Sequence, residues 1–216
     1  MKNEIIFFSL LIILSSCVKS GEQKAYNFKI DDTVKETVEA SISELEFASS
    51  AEDVFLIYNN PLAVDYYEND SLVATSKNEP TEAIFRSFYY YQNDTLVIDG
   101  MYGLFGGFGF SIKIVENQAE TYHLVAGDDF PAHSLTIDGD LQLRVEVPCI
   151  GTKLILSKLP EPNGQEIIYG LVEFESVDYF HRGTIVEGEE VEARSKVRMD
   201  MKVYFKSKFL NIESLG

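Results

Sequence analysis

The sequence has no tryptophan, only two cysteines and three histidines, and about half as many basic as acidic side chains. Each shortage excludes something. Two cysteines cannot build a disulfide-rich scaffold or a four-cysteine zinc site. The histidines, His123, His133 and His181, are spaced by 10 and 48 residues, which matches no local metal motif. With 18 Lys+Arg against 35 Asp+Glu, the formal charge is −17. Binding nucleic acid needs clustered basic side chains, so nucleic acid is excluded as an expected partner. A peripheral grip on anionic lipid is disfavoured for the same reason. No Gly-x-Ser-x-Gly elbow, phosphate loop or EF-hand loop is present. Lipocalin-type barrels usually carry a Gly-x-Trp signature on their first strand, and this chain cannot supply one. What remains is a composition of 45% apolar and 25% charged residues over 216 positions, typical of a globular chain with a sizeable core.

The longest apolar run is Ile5 to Leu14, ten residues with one serine. As a helix it would be about 15 Å long, half of a ~30 Å hydrocarbon core. It is too short to span and has the length of a signal-peptide apolar region. It ends in Leu14-Ser15-Ser16-Cys17, followed by the polar run from Lys19 to Lys24. An aliphatic residue, two small residues and a cysteine resemble the lipobox of bacterial lipoproteins. The resemblance covers residues 1 to about 24. It implies removal of residues 1–16 and a diacylglycerol, with a further acyl chain such as palmitate, on Cys17. Residues 17–27 then form the acylated N-terminus and a flexible tether, and residues 28–216 a single β-rich domain. In enterobacterial lipoproteins an Asp after the cysteine retains the protein in the inner membrane. Here Val18 stands in that place, so the resemblance implies the outer membrane. Cys149 is left without a partner and, lying between apolar runs, reads as a buried inert thiol.

One helix is expected over residues 33–47. Thr33 and Glu36 have capping-box spacing, and Val34, Val38, Ile42 and Leu45 recur at helical intervals. From residue 53 onward the period becomes two. Leu141, Leu143, Val145 and Val147 alternate with polar residues, as do Met199, Met201, Val203 and Phe205. Strict alternation places one face on a core and one in water. Strands are expected at 54–58, 62–67, 71–76, 86–91, 95–99, 108–114, 119–126, 134–137, 141–147, 153–157, 166–177 and 198–206. Asp138-Gly139 reads as a tight hairpin turn, and 181–196 as a solvated loop or edge hairpin. The expected fold is mainly β, an antiparallel sandwich or barrel-like domain with one short N-terminal helix.

Residues 85–110 hold nine of the 27 aromatic side chains, interleaved with five glycines. In one reading they are core strands whose glycines admit a close approach. In the other, Tyr89, Tyr91, Tyr102, Phe105 and Phe108 line a ligand or partner site, tyrosine offering apolar area and a hydroxyl together. Asp128 and Asp129 beside His133 form the best acid–base candidate, although adjacent aspartates in a Gly-Asp-Asp turn commonly serve the turn itself. The expected function is that of a lipid-anchored envelope protein with a non-enzymatic binding role. It would hold a small apolar ligand, a glycan or an envelope protein, and neither cofactor nor metal is expected. The alternatives are an assembly subunit of an envelope complex and a hydrolase using Asp128, Asp129 and His133.

Overall fold

Alternating apolar and polar side chains pair into one large sheet here because each strand buries the same parity of residues against the next. The structure, a computed structural model, describes residues 23–43, 62–77, 85–103, 106–162, 164–186 and 189–211. The expected strand at 54–58, the end of the helix beyond residue 43, Phe105 and Cys17 lie outside the described residues. In chain order the elements are β1 (Tyr26–Asn27), β2 (Lys29–Ile30), α1 (Val34–Ser43), β3 (Leu62–Glu68), β4 (Ser71–Lys77), β5 (Phe85–Gln92), β6 (Thr95–Tyr102), β7 (Gly107–Val115), β8 (Gln118–Ala126), β9 (His133–Ser134), β10 (Arg144–Leu156), β11 (Ile168–Ser176), β12 (Tyr179–His181), β13 (Ile185–Val186), β14 (Glu189–Glu190) and β15 (Ser195–Phe209).

Seven strands form a closed ring. β5, β6, β7 and β8 are an antiparallel meander. β8 pairs the first half of β10, β10 pairs β11, β11 pairs β15, and β15 returns to β5. The fold is thus mainly β and barrel-like. Two pairings depart from the expected antiparallel pattern: β15 meets β5 in parallel at Lys208 and Phe209, and β2 meets β10 in parallel. Two expected strands, 141–147 and 153–157, are one strand, β10. It turns the corner at Gly151, whose φ of 61° sits where the register shifts between Ile150 and Lys153. A left-handed residue lets the strand leave β8 and join β11 without strain.

Turn chemistry sets the hairpins. Asn69-Asp70, between β3 and β4, and Glu116-Asn117, between β7 and β8, both have positive φ at two successive residues, which matches the twist of the flanking strands. The expected tight hairpin at Asp138-Gly139 is instead a wider loop. Gly139 N–H donates to Thr136 O, and the two arms of the loop meet again at His133 and Gln142, while β9 itself pairs with β12. The 185–190 segment is a two-stranded hairpin, as an edge hairpin there was expected.

The ring is filled by side chains. Phe85, Tyr89, Ile98, Phe110, Ile112 and Phe205 are fully buried within it. Phe110 stacks between Phe85 at 5.9 Å and Phe205 at 5.3 Å. Gly100 and Gly170 make room for these rings, since a β-carbon at either would collide with Phe110 or Phe205. Each such burial contributes roughly 1.5–3 kcal/mol before entropy is counted.

Helix α1 covers the outside of the ring. Val34 and Val38 pack on Tyr169 and Leu171, with Ile42, Ile155 and Tyr204 around them. β11 is therefore buried on both faces over residues 168–172. The helix is capped by Asp31, not by Asp32 or Thr33 as its sequence indicated. The Asp31 carboxylate accepts from Thr33 N–H at 3.1 Å and from Thr33 Oγ1 at 2.6 Å. Among the described residues no helix is long and apolar enough to cross a membrane. Part of the segment expected as a tether is engaged with the sheet. Tyr26 and Asn27 already pair with β8, and Gln23 Oε1 accepts from Cys149 N–H at 2.7 Å.

Candidate functional site

The aromatic segment divides into a core part and a surface part. Tyr89 lies inside the ring, with no exposed surface, and its hydroxyl donates to Glu166 O at 2.5 Å. Burial pushes that hydroxyl's pKa up to about 12. Tyr91 is half-buried and donates to Pro160 O at 2.6 Å. Both tyrosines tie β5 to the 158–166 loop, so their hydroxyls are spent on the fold. Tyr102 and Phe108 face each other across β6 and β7 and stack at 5.0 Å, both half-buried.

Phe108 also lines a cleft of about 220 Å³ at one end of the ring. The cleft is built where β7 starts, β8 ends, β12 ends and β15 starts. Its walls are Phe108, Val125, Val197 and Met199, and its polar groups come from Tyr66, His133, Tyr179 and His181. Alternation puts these side chains there: Val197 and Met199 lie on the ring-facing parity of β15, and Val125 belongs to the small apolar cluster with Tyr179.

The three histidines, far apart in sequence, form a row with Tyr179. The His133 and His181 rings meet edge to face at 5.1 Å. His133 stands 6.3 Å from Tyr179, and His123 stands 5.6 Å from Tyr179. His123 is fully buried, and its Nδ1 lies 3.0 Å from Gly109 O. A carbonyl only accepts, so the proton sits on Nδ1 and leaves Nε2 as an acceptor with no partner. Burial holds the His123 pKa down at about 4. His133 is 8% exposed, and its Nδ1 has no hydrogen-bond partner. Its pKa is also lowered to about 4, by burial first and then by His181 and Arg182. Tyr179 is buried too, which pushes its hydroxyl's pKa far up. At neutral pH His123, His133 and Tyr179 are therefore uncharged, and the cleft is apolar with hydrogen-bonding points.

Asp128 and Asp129 are exposed in the turn after β8, while His133 is buried. General acid–base work calls for a water-excluded setting, and these two carboxylates stand in water. Among the described residues no group of three or more His, Cys, Asp or Glu side chains is placed to hold a metal ion. Cys149 is buried and unpaired, with Sγ 3.7 Å from Val147 O, and burial pushes its thiol pKa up.

A second concavity, of about 320 Å³, lies on the outer face between β3, β15 and β11. There Asp65, Asp200 and Glu175 stand directly opposite one another across three strands. Glu173 beside them is paired with Lys202 at 3.1 Å and Lys153 at 3.7 Å.

Of the residues the sequence singled out, Phe108 as a ligand-site candidate and His133 as an acid–base candidate line the cleft; Tyr66, Tyr179, His181 and Met199 were not candidates. No spacing signal joins them, because they come from three strands, β3, β12 and β15, brought together only by the tertiary fold. In comparisons with known proteins, no family model, no curated protein and no solved structure matches the chain.

Proposed function

We propose that this chain is a lipid-anchored cell-envelope protein of the outer membrane whose cleft at Phe108, His133 and His181 binds an apolar group. The role is non-enzymatic. The observation that carries the binding reading is the cleft itself. It is an apolar concavity at the end of a ring already filled by its own side chains, and it holds a buried imidazole whose Nδ1 has no partner. A buried polar atom without a partner costs stability unless something else uses it. A ligand with an apolar body and one hydrogen-bonding group fits this lining, which also carries Tyr66, Tyr179 and His181.

The anchor reading rests on Leu14-Ser15-Ser16-Cys17. Gln23 is fixed against Cys149, so Cys17 is six residues from the barrel. At ~3.3–3.6 Å per residue that span is at most about 22 Å. The barrel would hang close to the bilayer, while its charge of −17 holds it off an anionic surface. Palmitate labelling and membrane fractionation test the anchor: Cys17→Ala is expected to abolish both, and a Cys17→Ala protein that still labels would refute it.

Indole tests the cleft. The chain has no tryptophan, so added indole is read without background. Saturable binding with a blue-shifted emission is expected, lost in Ala126→Phe, which fills the cleft from its rim. Emission that never shifts, or shifts equally in Ala126→Phe, would remove the cleft as the site.

A further inference from the structure

Exposed apolar side chains gather at the cleft-bearing end of the ring. Among the described residues, nine of the thirteen exposed large apolar side chains fall in 72–73, 130–143 and 185–191, with Phe130, Ile137 and Val186 each about half exposed. Residues 72–73 lie in β4 just after its turn from β3, and the other two segments lie in the connections from β8 to β10 and from β12 to β15; all three turn at this end. An apolar concentration of this kind marks an interaction surface.

The same end is strongly acidic. Segments 68–73, 127–143 and 178–196 contain eleven Asp+Glu and three Lys+Arg. Each basic side chain is already engaged. Arg182 lies over the Phe130 ring at 3.9 Å, Arg194 pairs with Glu190 at 3.3 Å, and Lys196 sits between Asp70 at 2.6 Å and Asp178 at 3.7 Å. Among the described residues at this end the acidic side chains outnumber the basic ones, even with exposed Arg144 at the start of β10 counted. That excess repels a second copy of this chain, and it repels an anionic bilayer.

We infer that this end is a docking face for a cationic amphipathic segment of another protein. The segment's apolar side would cover Phe130, Ile137 and Val186, one large side chain would enter the cleft, and its Lys and Arg would meet the acidic rim. The inference rests on the binding reading above and names the partner's chemistry. Charge complementarity selects the occupant, and the small cleft volume suits one anchoring side chain better than a large free ligand.

The test uses the full chain in discs of zwitterionic lipid and a Leu/Lys amphipathic helix of about sixteen residues, long enough to hold helical form, with one Trp. Empty discs serve as the blank. The expected result is a saturable blue shift of the peptide's Trp, weakened by salt and weakened roughly tenfold by Ile137→Asp or Val186→Asp. Both positions are on the surface, so folding is spared. Val115→Asp, at the opposite end, should bind as the unaltered chain does. A Trp spectrum that does not move overturns the inference, as does equal weakening by Val115→Asp. Binding of phosphatidylglycerol vesicles that Ile137→Asp abolishes would make the face a membrane contact instead. Self-association that Ile137→Asp disrupts would make it an interface between copies. If indole still binds while the peptide does not, this inference alone fails; if neither binds, the binding reading fails with it.

Discussion

At the scale of single residues, this protein's character comes from groups buried without charge. His123 and His133 have folded pKa values near 4 against about 6.5 when unfolded. Below 6.5 the unfolded chain takes up protons that the folded chain refuses, so stability falls as pH drops through the window from 6.5 to 4. For fully buried His123 the loss should approach about 1 kcal/mol per pH unit within that window. Denaturant unfolding at pH 7 and pH 5 measures it, and His133→Gln is expected to flatten part of the slope.

Gly170 provides a second test at this scale. Its missing side chain is the space that the Phe205 ring occupies. Gly170→Ala should cost about 1–3 kcal/mol through overpacking. Adding Phe205→Leu should recover part of that loss, which a double-mutant cycle in urea would show. The interleaving of glycine and aromatic residues in 85–110 has the same origin at Gly100, and it reports packing more than binding.

At the scale of elements, faces matter more than residues. On β11, Tyr169, Leu171, Glu173 and Glu175 share the outer parity, yet the first two lie under α1 and the last two meet water or lysines. Removing the helix contact at Val38, which has no exposed surface, exposes the difference. Val38→Ala should cost about 1–3 kcal/mol, and hydrogen exchange should show the gain in opening confined to α1 and the strand beneath it.

The outer row of Asp65, Asp200 and Glu175 carries the opposite lesson. Desolvation, with Glu175 and Asp65 as like-charged neighbours, raises the Asp200 pKa, while Arg198 at 3.4 Å only partly opposes it. A carboxyl whose folded pKa is raised favours the fold when protonated, and that contribution is lost as pH rises through its folded pKa. Asp200→Asn should therefore raise the melting temperature at pH 7, by the equivalent of about 0.5–1 kcal/mol. The gain should vanish in acid.

At the scale of the whole molecule, the acidity is a distributed strain. A net charge of −17 repels itself in the compact state. Screening shortens that repulsion, so raising salt from about 0.01 to 0.15 M should raise the melting temperature. A melting temperature that falls with salt would mean that the surface ion pairs outweigh the repulsion.

How much of this was legible in the sequence follows from the range of each interaction. The period of two in Met199, Met201, Val203 and Phe205, the helix at Val34 and Val38, and the hairpin at 185–190 are all local. Each is fixed by which side chains recur on one face, so the sequence by itself determined the mainly β class, the lone described helix, the inert Cys149 and the acidic surface. The lipobox-like Leu14 to Cys17 is local as well. Ring closure is not. That β10 spans two strand partners depends on the left-handed turn at Gly151, and that β15 returns to β5 depends on two residues pairing in parallel. Neither leaves a periodic signal. His133, His181, Tyr179, Tyr66 and Phe108 become neighbours only after those closures. Tertiary structure alone therefore decided that Tyr89 is core, that three scattered histidines form a row, and that the apolar, acidic and cleft-bearing surfaces coincide at one end.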